Sequence, residues 1–441
     1  MLRLLSAEEV NRFEEKEKKD KGLDTAALVE NAARLAFTAI EEDVRAKHVL
    51  ILAGPGNNGS DALSLSLLLD NSSVSILLVK GKRGSINLEF LKKAEEKGIR
   101  ITDEIENPDV IIDGIYGSSF HPPLDGDTAS LIEKANKTDA LKIALDIPSA
   151  FLFEADKTIS FTFYKKECFY PENRKKCGRI FLLNPGFDEK AVSSVMTDTF
   201  LIQDSDYKKA EEKDWDYKNT KGHLLIKGGS DKYPGAAIIS ARAAFCSSIG
   251  LVSLKSRNKN IVYQYPQLIN GEDEDAHYDA VLAGPGWGND RSHDELITNL
   301  PLVIDADGIK AIEKGDYFFC NAVLTPHVGE FRFLCSLLGI AEDVRLLSRT
   351  LGAVVVKKSH IVEISDGESM FIYDGMNPSL AIAGSGDVLS AIIATFMAKG
   401  EKPLDAAVNA TIVHQMSGKN ARKKYNHYDI FKLLDEVALN I

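Results

Sequence analysis

The sequence has no run of apolar residues long enough to cross a membrane, and its N-terminal stretch lacks the apolar core of a secretory signal. Basic residues are not in excess: 53 lysines and arginines stand against 65 acidic residues, which argues against nonspecific nucleic-acid binding. The five cysteines are odd in number and include no Cys-x-x-Cys pair, as expected for reduced thiols. We therefore expect a cytoplasmic protein that binds neither membranes nor nucleic acids.

The length of 441 residues predicts more than one domain, and 44% hydrophobic with 27% charged residues is typical of globular proteins. Residues 204–219 are polar and have no apolar periodicity, so we interpret them as a linker. The sequence shows no internal repeat. We predict one domain over 1–203 and a second over 220–441.

Short apolar runs alternate with helical patterns through the N-terminal half, after a predicted capping box at Ser6 and Glu9. This alternation predicts a parallel sheet covered on both faces, with ligands bound outside the carboxyl ends of its strands. The polar residues that directly follow or end these runs are Asn57, Asn58, Asp61, Asp113 and Asp146. We expect them to converge on one cleft, although each alone could be a turn residue or a helix cap.

The α/β alternation restarts after the predicted linker. Apolar runs begin at Leu224, Ala280, Pro301, Ala322 and Ala353. Glycine-rich or polar segments follow them, namely Gly228-Gly-Ser230, Gly284-Pro-Gly-Trp-Gly288, Asp305-Ala-Asp307, Thr325-Pro-His-Val-Gly-Glu330 and Lys357-Lys358. A second sheet of the same kind is therefore predicted.

The stretch from Ala381 to Gly400 begins with small residues and continues into a helical pattern that Gly400 ends. The residues Gly384, Ser385, Gly386 and Asp387 should therefore lie at a helix N-terminus, where free N–H groups and the helix dipole attract anions. A carboxylate there suits a base that takes a proton from a hydroxyl while the amides hold a phosphoryl group. The alternative interpretation is that Asp387 only caps the helix.

Motifs in both halves resemble known families. In the N-terminal half, Glu30-Asn-Ala-Ala33, Gly54-Pro-Gly-Asn-Asn-Gly-Ser-Asp61, Asp113-Gly-Ile-Tyr-Gly117 and Asp146-Ile-Pro-Ser149 resemble the NAD(P)H-hydrate epimerase, or YjeF N-terminal, domain. The C-terminal segments given above, together with Pro234-Gly-Ala236 and Ala383-Gly-Ser-Gly-Asp387, resemble the ADP/ATP-dependent NAD(P)H-hydrate dehydratases. The tandem order is similar to that of bifunctional nicotinamide nucleotide repair proteins.

The resemblance implies two three-layer αβα domains, Rossmann-like over 1–203 and ribokinase-like over 220–441. The first would interconvert the R and S epimers of hydrated NADH and NADPH. The second would dehydrate the S epimer at the expense of ADP or ATP, with Mg²⁺. The epimerase would also bind K⁺, and a homo-oligomer is expected. The sequence leaves open the choices of ADP or ATP and of NADH or NADPH hydrate.

The resemblance also implies site residues. Asp146 and Asp387 would be catalytic. The epimerase substrate would be bound by Asn57, Asn58, Gly59, Ser60, Asp61, Gly117, Ser118, Ser119, Phe120, His121, Pro122, Pro123 and Asp146. K⁺ would be bound by Asn58, Asp113 and Ser149. The dehydratase substrate would be bound by Ala236, Gly286, His327 and Asp387. The nucleotide would be bound by Lys357, Lys358, Ser359, His360, Gly384, Ser385 and Gly386. His327 could instead be a strand-end histidine bonded to backbone.

The chain departs from the family patterns at several positions. Ser60, Ala62 and Ala150 stand where the epimerase motif has glycine, Ala383 replaces a glycine of the phosphate loop, and Lys358 follows Lys357 where a glycine is usual. If position 60 or 62 needs a positive φ, its side chain costs free energy, so we predict a weakened epimerase. Two other functions remain open: a ribokinase-like small-molecule kinase fused to a non-catalytic Rossmann-like domain, and a non-enzymatic nucleotide sensor or scaffold.

Overall fold

The computed structural model describes residues 1–209, 213–272, 276–289 and 292–441. They form two compact units: the N-terminal unit is Arg3–Thr197, and the C-terminal unit joins Asp198–Ile441 with Met1–Leu2. The predicted linker, 204–219, begins with a short 3₁₀ helix at Asp204–Asp206, and its residues 210–212 lie outside the described residues. The domain boundaries at 203 and 220 stay a prediction.

The N-terminal unit contains a parallel sheet in the strand order β4-β3-β2-β5-β6-β7-β9, and β1 pairs in parallel with β8. Its strands are β1 (Leu2–Leu5), β2 (His48–Ala53), β3 (Ser73–Leu78), β4 (Arg100–Thr102), β5 (Val110–Gly114), β6 (Leu141–Leu145), β7 (Lys157–Phe161), β8 (Tyr164–Lys165) and β9 (Arg179–Leu183). Its helices are α1 (Ala7–Lys21), α2 (Thr25–Val44), α3 (Asn57–Ser66), α4 (Ser85–Glu96), α5 (Gly126–Asn136), α6 (Pro171–Arg174) and α7 (Glu189–Ser194). The predicted capping box of Ser6 and Glu9 opens α1 and is confirmed.

The C-terminal unit has strands in the order β13-β12-β11-β14-β15-β16-β17-β18-β19-β10. They are β10 (Thr199–Ile202), β11 (His223–Lys227), β12 (Leu251–Lys255), β13 (Ile269–Asn270), β14 (Ala280–Ala283), β15 (Leu302–Ile304), β16 (Ala322–Leu324), β17 (Val354–Lys357), β18 (Val362–Ser365) and β19 (Met370–Tyr373). The helices are α8 (Pro234–Cys246), α9 (Asn260–Gln264), α10 (Val328–Leu338), α11 (Val344–Leu351), α12 (Ser385–Ala398), α13 (Pro403–Tyr425) and α14 (Ile430–Asn440).

Both sheets are buried on two faces. Successive strand residues point to opposite sides of a sheet, and here the residues on each side pack in an apolar cluster. In β2, Val49 and Ile51 belong to one apolar cluster, whereas Leu50 belongs to another. In the same way, Leu224 of β11 packs in one cluster of the C-terminal unit and Leu225 in a second. This alternation explains why the strands appear in the sequence as continuous apolar runs, and it confirms the predicted three-layer α/β class.

One part of the C-terminal sheet departs from the predicted parallel pattern. Strand β18 runs antiparallel to both β17 and β19. The turn between β18 and β19 contains Asp366-Gly367, and Gly367 has a φ of +96°. An Asp-Gly pair is a hairpin signal that the sequence analysis overlooked.

The order of the strands marks where ligands can bind. In the N-terminal sheet β2 lies between β3 and β5, and in the C-terminal sheet β11 lies between β12 and β14. The connections leave in opposite directions at these two points, which opens a crevice at the carboxyl ends of the strands. The loops after β2 and β5 in one unit, and after β11 and β14 in the other, line these crevices.

Two further features of the fold agree with the composition. Within the described ranges, no helix has the length and apolar character needed to cross a membrane. The five cysteines are all free thiols.

Candidate active sites

A cavity of about 460 Å³ opens at the crevice of the N-terminal unit. The predicted residues that line it are Asn57, Asn58, Asp61, Gly117, Ser118, Ser119, Phe120, His121 and Asp146. Gly59 and Ser60 lie in α3 behind the wall, and Pro122 and Pro123 follow His121 in the same loop. The structure therefore brings together the carboxyl ends of β2, β5 and β6, as the sequence predicted.

Helix α3 presents its N-terminus to this cavity without a side-chain cap. Its N-cap is Gly56, and no side chain accepts from its first amides. Gly59 lets α3 approach the preceding loop, since a Cβ at this position would lie 1.9 Å from the carbonyl oxygen of Gly54. The Arg83 guanidinium donates to the same carbonyl at 2.8 Å and fixes the loop. Free amides at a helix N-terminus are suited to bind an anionic group.

Asp113 and Ser149 form a buried pair beneath the cavity. The Ser149 hydroxyl donates to the Asp113 carboxylate at 2.6 Å, and the Ser149 amide donates to its other oxygen at 2.8 Å. Burial raises the pKa of Asp113 to about 6 against the opposing effect of these hydrogen bonds. Asn58 lies beside Gly117, and its buried side-chain oxygen and nitrogen have no partner among the described residues. An amide oxygen without a partner, a carboxylate and a hydroxyl are the kinds of oxygen donor that suit a hard cation.

Asp146 is held at both carboxylate oxygens. One oxygen accepts from the Ser118 amide at 2.7 Å, and the other lies 2.5 Å from the Lys165 ammonium. Asp146 itself has a φ of +65°, which turns its side chain toward the cavity after β6. Lys165 is 1% exposed, and it also donates to the Phe161 carbonyl at 2.6 Å. Lys165 was not among the predicted site residues, because a lysine in a short strand gives no recognisable signal.

Helix α1 adds three polar side chains that the sequence analysis did not place in a site: Asn11, Glu14 and Lys18. The Ser118 hydroxyl donates to the Asn11 side chain at 2.8 Å, and Thr162 donates to Glu14 at 2.7 Å. Desolvation raises the pKa of Glu14. The high density of charge along α1 is also typical of a solvated helix, so its pattern did not indicate a pocket wall.

In the C-terminal unit, helix α12 begins as predicted at the glycine-rich loop. Gly384 is its N-cap with a φ of +88°, and no side chain caps the helix. Asp387 is therefore within the first turn and is not the N-cap, so the alternative interpretation of its role is wrong. Desolvation and the negative charge of Asp305 raise the pKa of Asp387 to about 7, although Lys358 opposes the shift. A carboxyl group with this pKa can exchange a proton near neutral pH.

Two adjacent lysines, the last residue of β17 and the one after it, have different surroundings. The Lys358 ammonium lies 2.7 Å from Asp305, and a Cβ at Gly386 would lie 3.2 Å from it. The Lys357 ammonium instead pairs with Glu363 at 2.6 Å and lies over the Phe331 ring. Lys358 thus borders the phosphate loop, whereas the side chain of Lys357 does not. Ser359 and His360 continue the loop, and the His360 carbonyl accepts from the Met376 amide at 2.9 Å.

Ser385 is anchored from below the loop. Its hydroxyl lies 3.0 Å from Nε2 of His414, a buried residue of α13. Burial lowers the pKa of His414 to about 4, so the ring is neutral at physiological pH. His414 and Asp305 are therefore parts of this site that the list of predicted residues omitted.

The remaining predicted residues border the same crevice. A Cβ at Gly286 would lie 3.0 Å from Cβ of Ala236, so these two residues are close neighbours. His327 is the N-cap of α10, and its Nδ1 accepts from the amides of Gly329 and Glu330. His327 is thus bonded to backbone as the alternative interpretation held, while its ring remains 60% exposed. Residues 326 and 358 are linked by a hydrogen bond of 2.8 Å, which sets the His327 loop beside Lys358.

These features define a two-unit α/β protein with an anion-receiving helix N-terminus and a carboxyl group in each crevice. Comparison with known families agrees with this class. The family profile described as "YjeF-related protein N-terminus" matches residues 25–167, and the profile described as "NAD(P)H-hydrate dehydratase" matches residues 224–438. The two matches together cover most of the chain.

Similar proteins carry both units in the same order. A protein of Dictyoglomus turgidum is 28% identical over 94% of this chain and 93% of its own length. One of Escherichia coli is 27% identical over 92% of this chain and 87% of its own. Both are named bifunctional NAD(P)H-hydrate repair enzymes. The chain belongs to this family of two-domain NAD(P)H-hydrate repair enzymes.

Among solved structures, an ADP/ATP-dependent NAD(P)H-hydrate dehydratase of Bacillus subtilis, co-crystallised with ATP and Mg²⁺, is 23% identical. It covers 52% of this chain and 92% of its own, with a TM-score of 0.45. A ribokinase-like protein of Enterococcus faecalis is 22% identical, with a TM-score of 0.48 over 56% of this chain and 96% of its own.

Proposed function

We propose that the chain repairs hydrated nicotinamide cofactors with two active sites. The N-terminal site interconverts the R and S epimers of NADH and NADPH hydrate. The C-terminal site dehydrates the S epimer with a nucleotide as phosphoryl donor. The observation that carries this proposal is the start of α12, where the uncapped amides beside Gly384 and Gly386 and a carboxyl group of pKa about 7 lie together.

The arrangement at α12 suits phosphorylation of a hydroxyl group that must leave. Hydroxide is a poor leaving group, and phosphorylation converts it into a good one. The amides of Ser385 and Gly386 would hold the transferred phosphoryl group, and Asp387 would accept the hydroxyl proton. A donor of the oxyanion-hole type is commonly worth about 3 kcal/mol, so the loop is a main source of rate. Lys358 would neutralise charge on the transferring group.

The other predicted residues take substrate-binding roles in this scheme. Ala236, Gly286 and the exposed ring of His327 border the crevice, where they would contact the hydrate. The loop of Lys358, Ser359 and His360 would contact the nucleotide. Lys357 would contribute through its backbone, because its ammonium is engaged by Glu363.

In the N-terminal unit, the start of α3 would bind the substrate's phosphates. Asp146 would contact the substrate at C6, the carbon that carries the hydroxyl group. The loop of residues 117–123 would cover the substrate. K⁺ fits the oxygen donors Asn58, Asp113 and Ser149, because the Asn58 amide oxygen is buried without a partner among the described residues. A bound K⁺ would supply positive charge that holds these groups and the adjoining loop in place.

Mg²⁺ would accompany the nucleotide at the C-terminal site. In the described part of the chain, no group of three or more His, Cys, Asp or Glu side chains is placed to hold a metal. Mg²⁺ is commonly bound through phosphates and few carboxylates, so this proposal needs no dedicated cluster. A cytoplasmic location and a homo-oligomer complete the proposal; light scattering of the purified protein measures the latter.

The decisive experiment mixes hydrated NADH with the protein, Mg²⁺, K⁺ and either ADP or ATP, and follows the return of absorbance at the reduced-nicotinamide band. We expect NADH to form with one of the nucleotides, and the comparison of ADP with ATP identifies the donor. Enzymatic conversion of pure R hydrate to S hydrate should require an intact N-terminal site. Its rate should fall when Na⁺ replaces K⁺. Accumulation of a stable phosphorylated product would support a small-molecule kinase instead. Binding without nucleotide turnover would support a sensor or scaffold.

A further inference from the structure

The cavity of the N-terminal unit holds more carboxyl groups than the epimerase assignment uses. Asp61 on α3, Glu14 on α1 and Asp146 after β6 all line it. The charged groups that act on Asp61 are Asp146 and Glu14, with Lys18 of α1 and Lys165 of β8 opposing them. His121 lines the same cavity. Three carboxylates in one pocket repel one another, so ionising all of them costs free energy. The placement of the cations therefore decides which one carries a proton.

The cation of Lys165 is committed to Asp146. Its ammonium lies 2.5 Å from one Asp146 oxygen, and the Ser118 amide donates to the other. The same ammonium also donates to the Phe161 carbonyl and lies 3.4 Å from the Ser160 hydroxyl. Both oxygens of Asp146 are thus held, one by an ammonium and one by a backbone amide.

Asp61 has no comparable support. Among the described residues, its carboxyl group makes no ion pair and no hydrogen bond. It faces the negative charges of Asp146 and Glu14 inside a desolvated wall, and both effects raise its pKa well above the usual range. Glu14 differs because Thr162 donates to it at 2.7 Å.

We propose that Asp61 is the proton-carrying acid of the N-terminal site, and that Lys165 is a positioning residue that keeps Asp146 as the base. This inference rests on the proposed epimerase function. Asp61 gives its proton to the 6-hydroxyl, which leaves as water while the lone pair of the ring nitrogen forms the C6=N1 bond. Water then adds to the other face of C6, the C6=N1 pair returns to nitrogen, and Asp146 takes the proton from the added water. Proton exchange through solvent then moves this proton from Asp146 back to Asp61, which restores the acid and the base for the next turnover.

The first test compares Asp61→Asn with Asp127→Asn, since each replaces a carboxyl by an amide of the same size and Asp127 of α5 is not among the residues that line the cavity. Pure R hydrate is supplied with K⁺, and conversion above the uncatalysed rate is measured. Asp61→Asn should lower kcat by about 10²–10⁴-fold with little change in hydrate affinity. Asp127→Asn should retain the rate. An Asp61→Asn variant with the wild-type kcat would overturn the role of Asp61.

The second test separates positioning from a purely structural role of Lys165. In Lys165→Met, Asp146 loses the ammonium that lies 2.5 Å from its carboxylate, so kcat for R hydrate should fall while hydrate affinity changes little. Lys165→Arg keeps the charge and should restore most of kcat. A folded Lys165→Arg variant whose kcat is as low as that of Lys165→Met would overturn the positioning role.

Dehydration of pure S hydrate by the same preparations gives an internal control. It should stay at the wild-type level, because that reaction uses the C-terminal unit. If the wild-type chain fails to interconvert R and S hydrates at all, the proposed epimerase function fails. If the wild type is active and Asp61→Asn is equally active, only the present inference fails.

Discussion

Helix α3 of the N-terminal unit and helix α12 of the C-terminal unit begin in a similar way. Each follows a glycine-rich loop, each has glycine at the N-cap, and neither is capped by a side chain. Both therefore offer free amides to an anion. The difference lies in the neighbouring charges. Lys358 stands beside the amides of α12, whereas the buried cation of the other cavity, Lys165, is bonded to Asp146.

This difference indicates how one local structure serves two reactions. At α12 a cation and a carboxyl group of pKa about 7 adjoin the amides, which suits a phosphoryl group that is being transferred. At α3 the carboxyl groups outnumber the cations around the cavity, which suits proton exchange on a substrate whose phosphates are only held. In the proposed scheme each helix N-terminus binds the anionic group, and the side chains around it decide the chemistry.

The largest expected effect comes from Asp387→Ala. The variant loses the proton acceptor but keeps the amides, so dehydration of S hydrate should fall by about 10²–10⁴-fold while nucleotide and hydrate binding persist. Epimerisation of R hydrate should not change. Near-normal dehydration by this variant would remove Asp387 from the mechanism and with it the contrast between the two helices.

Asp387 should also affect stability in a pH-dependent way. Its pKa is about 7 in the folded chain, against about 3.9 when unfolded, so the folded state loses stability as pH rises from 4 to 7. Asp387→Asn cannot ionise and avoids this loss. Above pH 7 it should stabilise the C-terminal unit by on the order of 2–4 kcal/mol, relative to the difference at pH 4. Calorimetry at both pH values measures this, and a pH-independent difference would contradict the raised pKa.

The lysine pair offers a matched comparison. Lys358→Met and Lys357→Met each break a largely buried ion pair, but only the first removes a cation beside Gly386. We expect the first variant to weaken nucleotide turnover by about 10–100-fold, as for loss of a hydrogen bond to a charged group. The second should change turnover little. Steady-state kinetics with thermal melting as a control tests this, and equal losses would mean that the lysines act only through stability.

The smallest effect concerns the departures from the epimerase motif. Ser60 and Ala62 lie in α3, so they do not need a positive φ, and the strain predicted for them is absent. Ala150 does carry it, with a φ of +53°. Ala150→Gly should therefore stabilise the N-terminal unit by about 0.5–1 kcal/mol.

Ser60→Gly and Ala62→Gly test the same idea from the other side. Each should destabilise α3 by about 0.5–1 kcal/mol, because glycine is unfavourable within a helix. Urea unfolding and the R-to-S rate with K⁺ distinguish these variants from Ala150→Gly. A faster R-to-S rate in either α3 variant would show that the side chains of Ser60 and Ala62, and not Ala150, limit the site. The predicted weakness of the epimerase itself stays a prediction until that rate is measured.

Much of the architecture follows from the sequence alone. Continuous apolar runs predicted strands buried on both faces. Alternate residues of a strand point to opposite faces of the sheet, so all of them must be apolar when both faces are buried. Glycines followed by a helical pattern predicted the start of α12, because free amides and close approach need small residues there. Asp146 could be located because it directly follows an apolar run, and Asp387 because it directly follows the glycine-rich loop. The hairpin of β18 and β19 also had a local signal, in Asp366-Gly367.

Other features arise only when distant segments meet. The partners of Asp146 and Asp387, namely Lys165, Asp305 and Lys358, are set by pairings that no local pattern encodes. His414 lies 29 residues after the Ser385 that it anchors. The proton affinities of Asp61, Asp113 and Asp387 depend on burial and on neighbouring charge, and both are properties of the packed chain. Sequence thus determined which groups are available, and tertiary structure decided which of them carry a proton.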